Sequence, residues 1–174
     1  MGIKLLALAG LLAGALFAVP GGPARAEDDL AFFSFTGGYF DFNRQKNTAF
    51  EGRVEYRGGA SDKFWIFKPV GGLMGTSDGT GFAFAGVLVD IYFGNRFVLT
   101  PSFTPGLYYK GNGLDLGHAI EFRSGVELSY RFDDRSRLGI GVSHMSNAGI
   151  GKTNPGEETL FLTFSIPTSK ILNW

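Results

Sequence analysis

Ala49-Phe50-Glu51-Gly52-Arg53-Val54-Glu55-Tyr56-Arg57 changes chemistry at every step. On a β-strand successive side chains point to opposite faces. Ala49, Glu51, Arg53, Glu55 and Arg57 therefore share one face, and Phe50, Val54 and Tyr56 share the other. Residues 117–132 repeat the pattern. Glu121, Arg123, Glu127 and Arg131 lie on one side, and Ile120, Phe122, Val126, Leu128, Tyr130 and Phe132 on the other. A soluble sandwich would turn such charges to water and bury the aromatics. A membrane barrel inverts this, with the apolar face to lipid and the ions paired inside.

Working outward, the same period-two signal recurs over 30–42, 47–58, 63–74, 80–93, 96–109, 117–132, 136–147 and 157–167. Turn-forming residues separate these segments, as at Gly58-Gly59-Ala60-Ser61-Asp62, Gly94-Asn95 and Asp133-Asp134-Arg135. The segments are longer than the ~5–6 residues usual in soluble sheets, and their number is even. Short turns alternate with longer loops. In lipid only a closed barrel satisfies every backbone group of a β-chain. The expected fold is all-β, an eight-stranded antiparallel transmembrane barrel of the outer membrane. A barrel of eight strands fills with side chains, so no open pore is expected. Tyr92, Phe93, Tyr108, Tyr109, Tyr130, Phe132 and Trp174 fall near strand ends, where interfacial girdles sit. With both termini in the periplasm, the loops at 43–46, 75–79, 110–116 and 148–156 face outward. Thr168 and Lys170 interrupt the alternation before Trp174.

Residues 1–26 read as a secretory signal: Lys4, an apolar run from Leu5 to Val19, and Ala24-Arg25-Ala26 as a small-x-small cleavage site. Cleavage there leaves 27–174 as one domain. It removes two of sixteen cations and none of sixteen anions, so the mature chain is slightly acidic. That balance argues against a nucleic-acid partner. With no cysteine, disulfide scaffolds and thiolate metal sites are excluded. Gly71-Gly72 and Gly111-x-Gly113 lack the following helix that a phosphate loop needs, and Asp133-Asp134 reads as a turn.

The segment Ser136–Asn147 ends unusually. Leu138, Ile140 and Val142 form its apolar face, and His144 and Ser146 continue it. In the next segment Leu160, Leu162, Phe164 and Ile166 are apolar, with Glu158 two residues before them. A His, a Ser and a Glu thus meet lipid on two antiparallel neighbours. Polar groups are penalised there unless they have a function. A Ser nucleophile needs an adjacent base, and the base an acid to fix its tautomer. The developing oxyanion needs donors. Ala148-Gly149 follows the Ser with a backbone N–H available at Gly149, and Asn147 and Asn154 stand in support. A bare His-x-Ser at a strand end is more often a polar cap, and Glu158 at matching parity is what raises the catalytic reading. Glu157 has the opposite parity and points inward. His118 lacks such partners and reads as a surface residue.

His144-Met145-Ser146-Asn147-Ala148-Gly149-Ile150, followed by Asn154 and Glu158, resembles the signature of the lipid A 3-O-deacylase family (PagL type, also called acyloxyacyl hydrolase family). The likeness is strongest over 118–167, including Glu121-Phe122-Arg123-Ser124-Gly125. The resemblance implies an outer-membrane barrel with a lipid-facing triad of Ser146, His144 and Glu158. It implies oxyanion stabilisation by Ala148 and Gly149, supported by Asn147 and Asn154. It further implies a serine esterase that removes the 3-hydroxyacyl chain at position 3 of lipid A, with lipopolysaccharide and membrane lipids as partners. No cofactor or metal is expected. Homodimerisation is left open. The rival functions are a non-enzymatic structural barrel and an outer-membrane phospholipase. An acyltransferase holding a chain in its lumen would need an apolar interior, which the Glu/Arg rows oppose. Lys110 and Lys152 are candidates for phosphate contacts, although solvated loop lysines are the commoner case.

Overall fold

The computed structural model describes residues 29–172; the expected signal segment and Trp174 lie outside the described residues. The strands are β1 (Phe32–Phe40), β2 (Ala49–Arg57), β3 (Lys68–Thr76), β4 (Gly81–Leu88), β5 (Ile91–Phe93), β6 (Phe97–Tyr109), β7 (Ile120–Arg131), β8 (Arg137–Ser146) and β9 (Glu157–Pro167). A short helix, α1 (Thr168–Ile171), follows. All pairings are antiparallel between sequence neighbours, with two additions. β9 returns to β1, from Phe32↔Pro167 to Tyr39↔Leu160. β4 and β5 both lie on β6. The sheet is therefore a closed eight-stave barrel whose fourth stave is broken in two.

The break has a local cause. At Val89-Asp90 the chain leaves the ladder, and the Asp90 carboxylate turns inward. There it accepts from Lys68 Nζ (3.0 Å), Arg137 Nη1 (3.0 Å) and Thr100 Oγ1 (2.8 Å). Val89 N–H still reaches Pro101 O at 3.0 Å, which keeps the stave closed across the gap. The third stave also differs from expectation. It begins at Lys68 rather than 63, because Phe64 and Phe67 bond each other's backbone in a tight turn (2.9 and 3.0 Å) with Trp65 at φ +58°. Phe-Trp-Ile-Phe has the composition of a strand, yet here it forms an exposed aromatic knuckle on the rim where β1 begins and α1 lies.

The interior is polar and ion-paired. Arg57 bridges Glu55 (2.9 Å) and Glu127 (2.8 Å); Glu55 also meets Arg53 (3.2 Å) and Arg123 (3.3 Å). Lys68 joins Asp29 (2.7 Å) to Asp90. Guanidinium planes lie over inward aromatic rings, Arg123 on Phe84 and Arg137 on Phe32, each at 4.4 Å. Such charges stay in a low dielectric because each is paired or stacked. A cavity of about 20 Å³ between Arg53, Glu55, Arg123 and Glu127 is room for roughly one water. The far rim is closed by apolar packing of Phe40, Met74, Phe82, Tyr108, Leu116 and Met145. Outside, the pattern is inverted: Phe50, Leu73 and Leu162 are 75%, 67% and 58% exposed. Phe93, Tyr109, Tyr130 and Phe132 also face outward. Tyr92 and Tyr108 do not. Tyr92 Oη accepts from Arg137 (2.8 Å), and buried Tyr108 donates to Leu114 O (2.7 Å). Two adjacent aromatics on a strand cannot both face lipid, so only one of each pair joins the girdle.

Candidate active site

The site lies at the rim opposite α1, where β8 and β9 separate into the loop 147–156. In the β8–β9 register His144 is directly opposite Glu158. This pairing delivers what parity implied. Leu138, Ile140 and Val142 are exposed on the outer wall, and His144 is the next outward residue. His144 Nδ1 lies 3.2 Å from Glu158 Oε1. A carboxylate there accepts a hydrogen bond from Nδ1–H, so the proton stays on Nδ1 and Nε2 is left as the basic nitrogen. Ser146 is the following outward residue, opposite Phe122. Its hydroxyl makes no hydrogen bond to His144 in this structure, so contact requires a change of rotamer or loop position. Glu158 points outward by parity but is buried, because the chain folds over it. Glu157 points into the barrel and is fully buried. His118 is exposed, and its Nδ1 accepts from Ile120 N–H at 2.9 Å.

Asn147 organises the loop that follows. It is fully buried. Its Nδ2 donates to Leu116 O and Thr153 O, both at 2.7 Å, and its Oδ1 accepts from Gly149 N–H at 2.9 Å. Its own N–H donates to Asn154 Oδ1 at 3.1 Å. The loop is thereby tied to the neighbouring loop at 110–119. Ala148 (φ +54°) and Gly149 (φ +83°) are both left-handed, which turns the chain sharply after Ser146. The Gly149 N–H, read from sequence as an open donor, is thus already engaged by Asn147. The Ala148 N–H has no hydrogen-bond partner among the described residues. Lys110, one of the two lysines considered for phosphate, is paired with Asp115 at 3.1 Å.

Two residues at the site were not singled out in the sequence. Arg44, from the β1–β2 loop, places Nη2 3.2 Å from the same Glu158 Oε1. Gly156, at φ +66°, lies against the imidazole: a Cβ there would be 2.8 Å from His144 Cε1. The expected closed barrel already implied the neighbourhood; which loop side chains reach Glu158 was the missing signal. Once β9 pairs with β1, the β1–β2 loop must sit beside the start of β9.

The comparisons with known proteins follow this geometry. The family model described as lipid A 3-O-deacylase (PagL) matches residues 30–167, nearly the whole described chain. The chain belongs to the PagL family. A curated PagL relative, the lipid A deacylase of Bordetella bronchiseptica, is 30% identical over 74 residues. That match covers 41% of this chain and only 42% of the relative's length. Among solved structures, the crystal structure of the outer membrane enzyme PagL superposes with a TM-score of 0.65 at 16% identity, covering 78% of this chain and 99% of that one. Neisserial surface protein A gives 0.56 at 9% identity, covering 80% and 97%. At these identities the superpositions speak for the barrel alone, and one barrel hosts many functions. In this PagL-family chain, function rests on the site.

Proposed function

We propose that this protein is an outer-membrane serine esterase that removes the 3-hydroxyacyl chain from position 3 of lipid A. The in-register His144–Glu158 pair, with Ser146 next on the same outward face, is the observation that carries this reading. Membership of the lipid A 3-O-deacylase family supports the substrate and the bond. Ser146 Oγ attacks the ester carbonyl as its proton passes to His144 Nε2. Glu158, on Nδ1, stabilises the imidazolium so formed. His144 then protonates the departing sugar oxygen, and the acyl chain remains on Ser146. Water, deprotonated by the same imidazole, releases the 3-hydroxy fatty acid and regenerates Ser146. The Ala148 N–H is the foremost donor to the oxyanion. Asn147, Gly149 and Asn154 hold the turn that aims it.

The chain is exported with residues 1–26 as a cleaved signal, and the site faces the outer leaflet. The test is to express the chain and its Ser146→Ala variant in a Gram-negative host and weigh the extracted lipid A. A mass loss of one 3-hydroxyacyl chain is expected with the wild type only. Deacylation by a folded Ser146→Ala barrel would overturn the nucleophile. Unaltered lipid A, both in cells and with the solubilised wild type, would overturn the function.

A further inference from the structure

Arg44 is placed on the site by a loop built to hold it. Asp41, fully buried at φ +52°, accepts Lys46 N–H (2.7 Å) and Asn47 N–H (2.9 Å) on its carboxylate and Gln45 N–H (3.0 Å) on its carbonyl. Phe42 N–H donates to Glu158 O at 3.0 Å, so the turn is fastened to the backbone of the candidate acid itself. The guanidinium then shares Glu158 Oε1 with His144 Nδ1.

As a helper for His144 this arrangement is poor. A cation on Glu158 weakens the carboxylate's hold on an imidazolium, because like charges are brought together. The fork also spends only Nη2 on Glu158, and 36% of the side chain is exposed. Its Nε–H and Nη1–H groups have no hydrogen-bond partner among the described residues. A planar guanidinium presents several donors at once to a phosphate. Exposed Lys46 on the same loop and exposed Lys152 on the loop 147–156 add positive charge at this rim.

We propose that Arg44 is a substrate-binding residue that takes a phosphate of the lipid, and that it selects phosphorylated glucosamine lipids over neutral ones. This rests on the esterase reading for the identity of the lipid. The phosphate on position 1 of a glucosamine lipid lies on the same sugar as the ester at position 3, and Arg44 lies on the candidate acid of the site that would cleave that ester. As Arg44 moves to the phosphate it releases Oε1 to His144, so binding of the correct headgroup also frees the acid of the triad.

The experiment uses the full chain in detergent micelles, with lipid A carrying the 1-phosphate and the same lipid with that phosphate removed. Binding is first measured to Ser146→Ala and to Ser146→Ala with Arg44→Gln. Preference for the phosphorylated lipid by about tenfold or more, lost with Arg44→Gln and partly kept with Arg44→Lys, is expected. In the catalytic background Arg44→Gln should raise KM for the phosphorylated lipid more than for the dephosphorylated one, so that the wild type's preference in kcat/KM between the two is lost. Equal affinity of the Ser146→Ala protein for both lipids overturns the proposal. So does an equal fall of kcat on both lipids with Arg44→Gln, which would make Arg44 a positioning residue for Glu158. Phosphate-dependent binding without deacylation by the wild type would uphold the phosphate site and overturn the esterase instead.

Discussion

At the residue scale, Gly156 limits where the imidazole can sit. A methyl group at this position meets His144 Cε1 at 2.8 Å, and the left-handed φ of +66° strains any other residue. Gly156→Ala should push the ring off Glu158 while leaving the strands paired. Misplacement of about an ångström can cost roughly 10²-fold in rate. A fall of that order in kcat/KM, with unchanged barrel content by circular dichroism, is the expected result. Parity set His144, Ser146 and Glu158 apart, because the period of two is rigid and three polar residues stood where apolar ones belonged; the structure brings His144 and Glu158 together. Gly156 and Arg44 were not legible. The closed barrel placed the β1–β2 loop beside the last strand, but the path of each loop, which brings Arg44 to Glu158 and Gly156 to His144, carries no periodic signal.

At the element scale, the loop 147–156 hangs on one side chain. Asn147→Ala removes bonds to Leu116 O, Thr153 O and Gly149 N–H in a fully buried place. Buried groups left unpaired cost about 1–3 kcal/mol each. The loop should loosen and deacylation fall at least tenfold, with the barrel's heat-modifiable migration on gels retained. At the opposite rim, Lys170 of α1 bonds Asp134 at 2.6 Å, and Ser136 donates to the same carboxylate. Lys170 first, then Ser136, holds the Asp134 pKa down to about 2. A carboxylate lowered from its ordinary 3.8 stabilises the folded contact at neutral pH and loses that contribution as pH falls from about 4 through 2. Faster proteolysis of the tail below pH 4, abolished as a pH effect by Asp134→Asn, is the check. The element boundaries were legible where alternation was clean, as in β2 and β9. They were misread at Phe64–Phe67, where hydrophobicity signalled a strand but the backbone bonds closed on themselves. The tail after Pro167 broke alternation because it is a helix packed on a turn.

At the scale of the molecule, Glu55 is the junction of the interior, contacting Arg53, Arg57 and Arg123. Breaking a buried pair from one side costs about 3–5 kcal/mol, since the partner charge stays buried. Glu55→Ala should lower stability by that order in a urea titration of the micelle-bound barrel, more than Phe50→Ala on the lipid face. The inverted pattern of charge and aromatics made the packed lumen readable in the sequence. Which guanidinium met which carboxylate was not readable, because strand stagger decides it. The outward placement of His144 and Ser146 has a kinetic consequence. Under the proposed mechanism, a nucleophile on the barrel's wall meets its ester by travel within the leaflet, not by capture from bulk solution. Its velocity should then follow the mole fraction of lipid A in the surrounding film. Diluting substrate with inert detergent at constant total lipid A should slow turnover, as in an enzyme working in two dimensions.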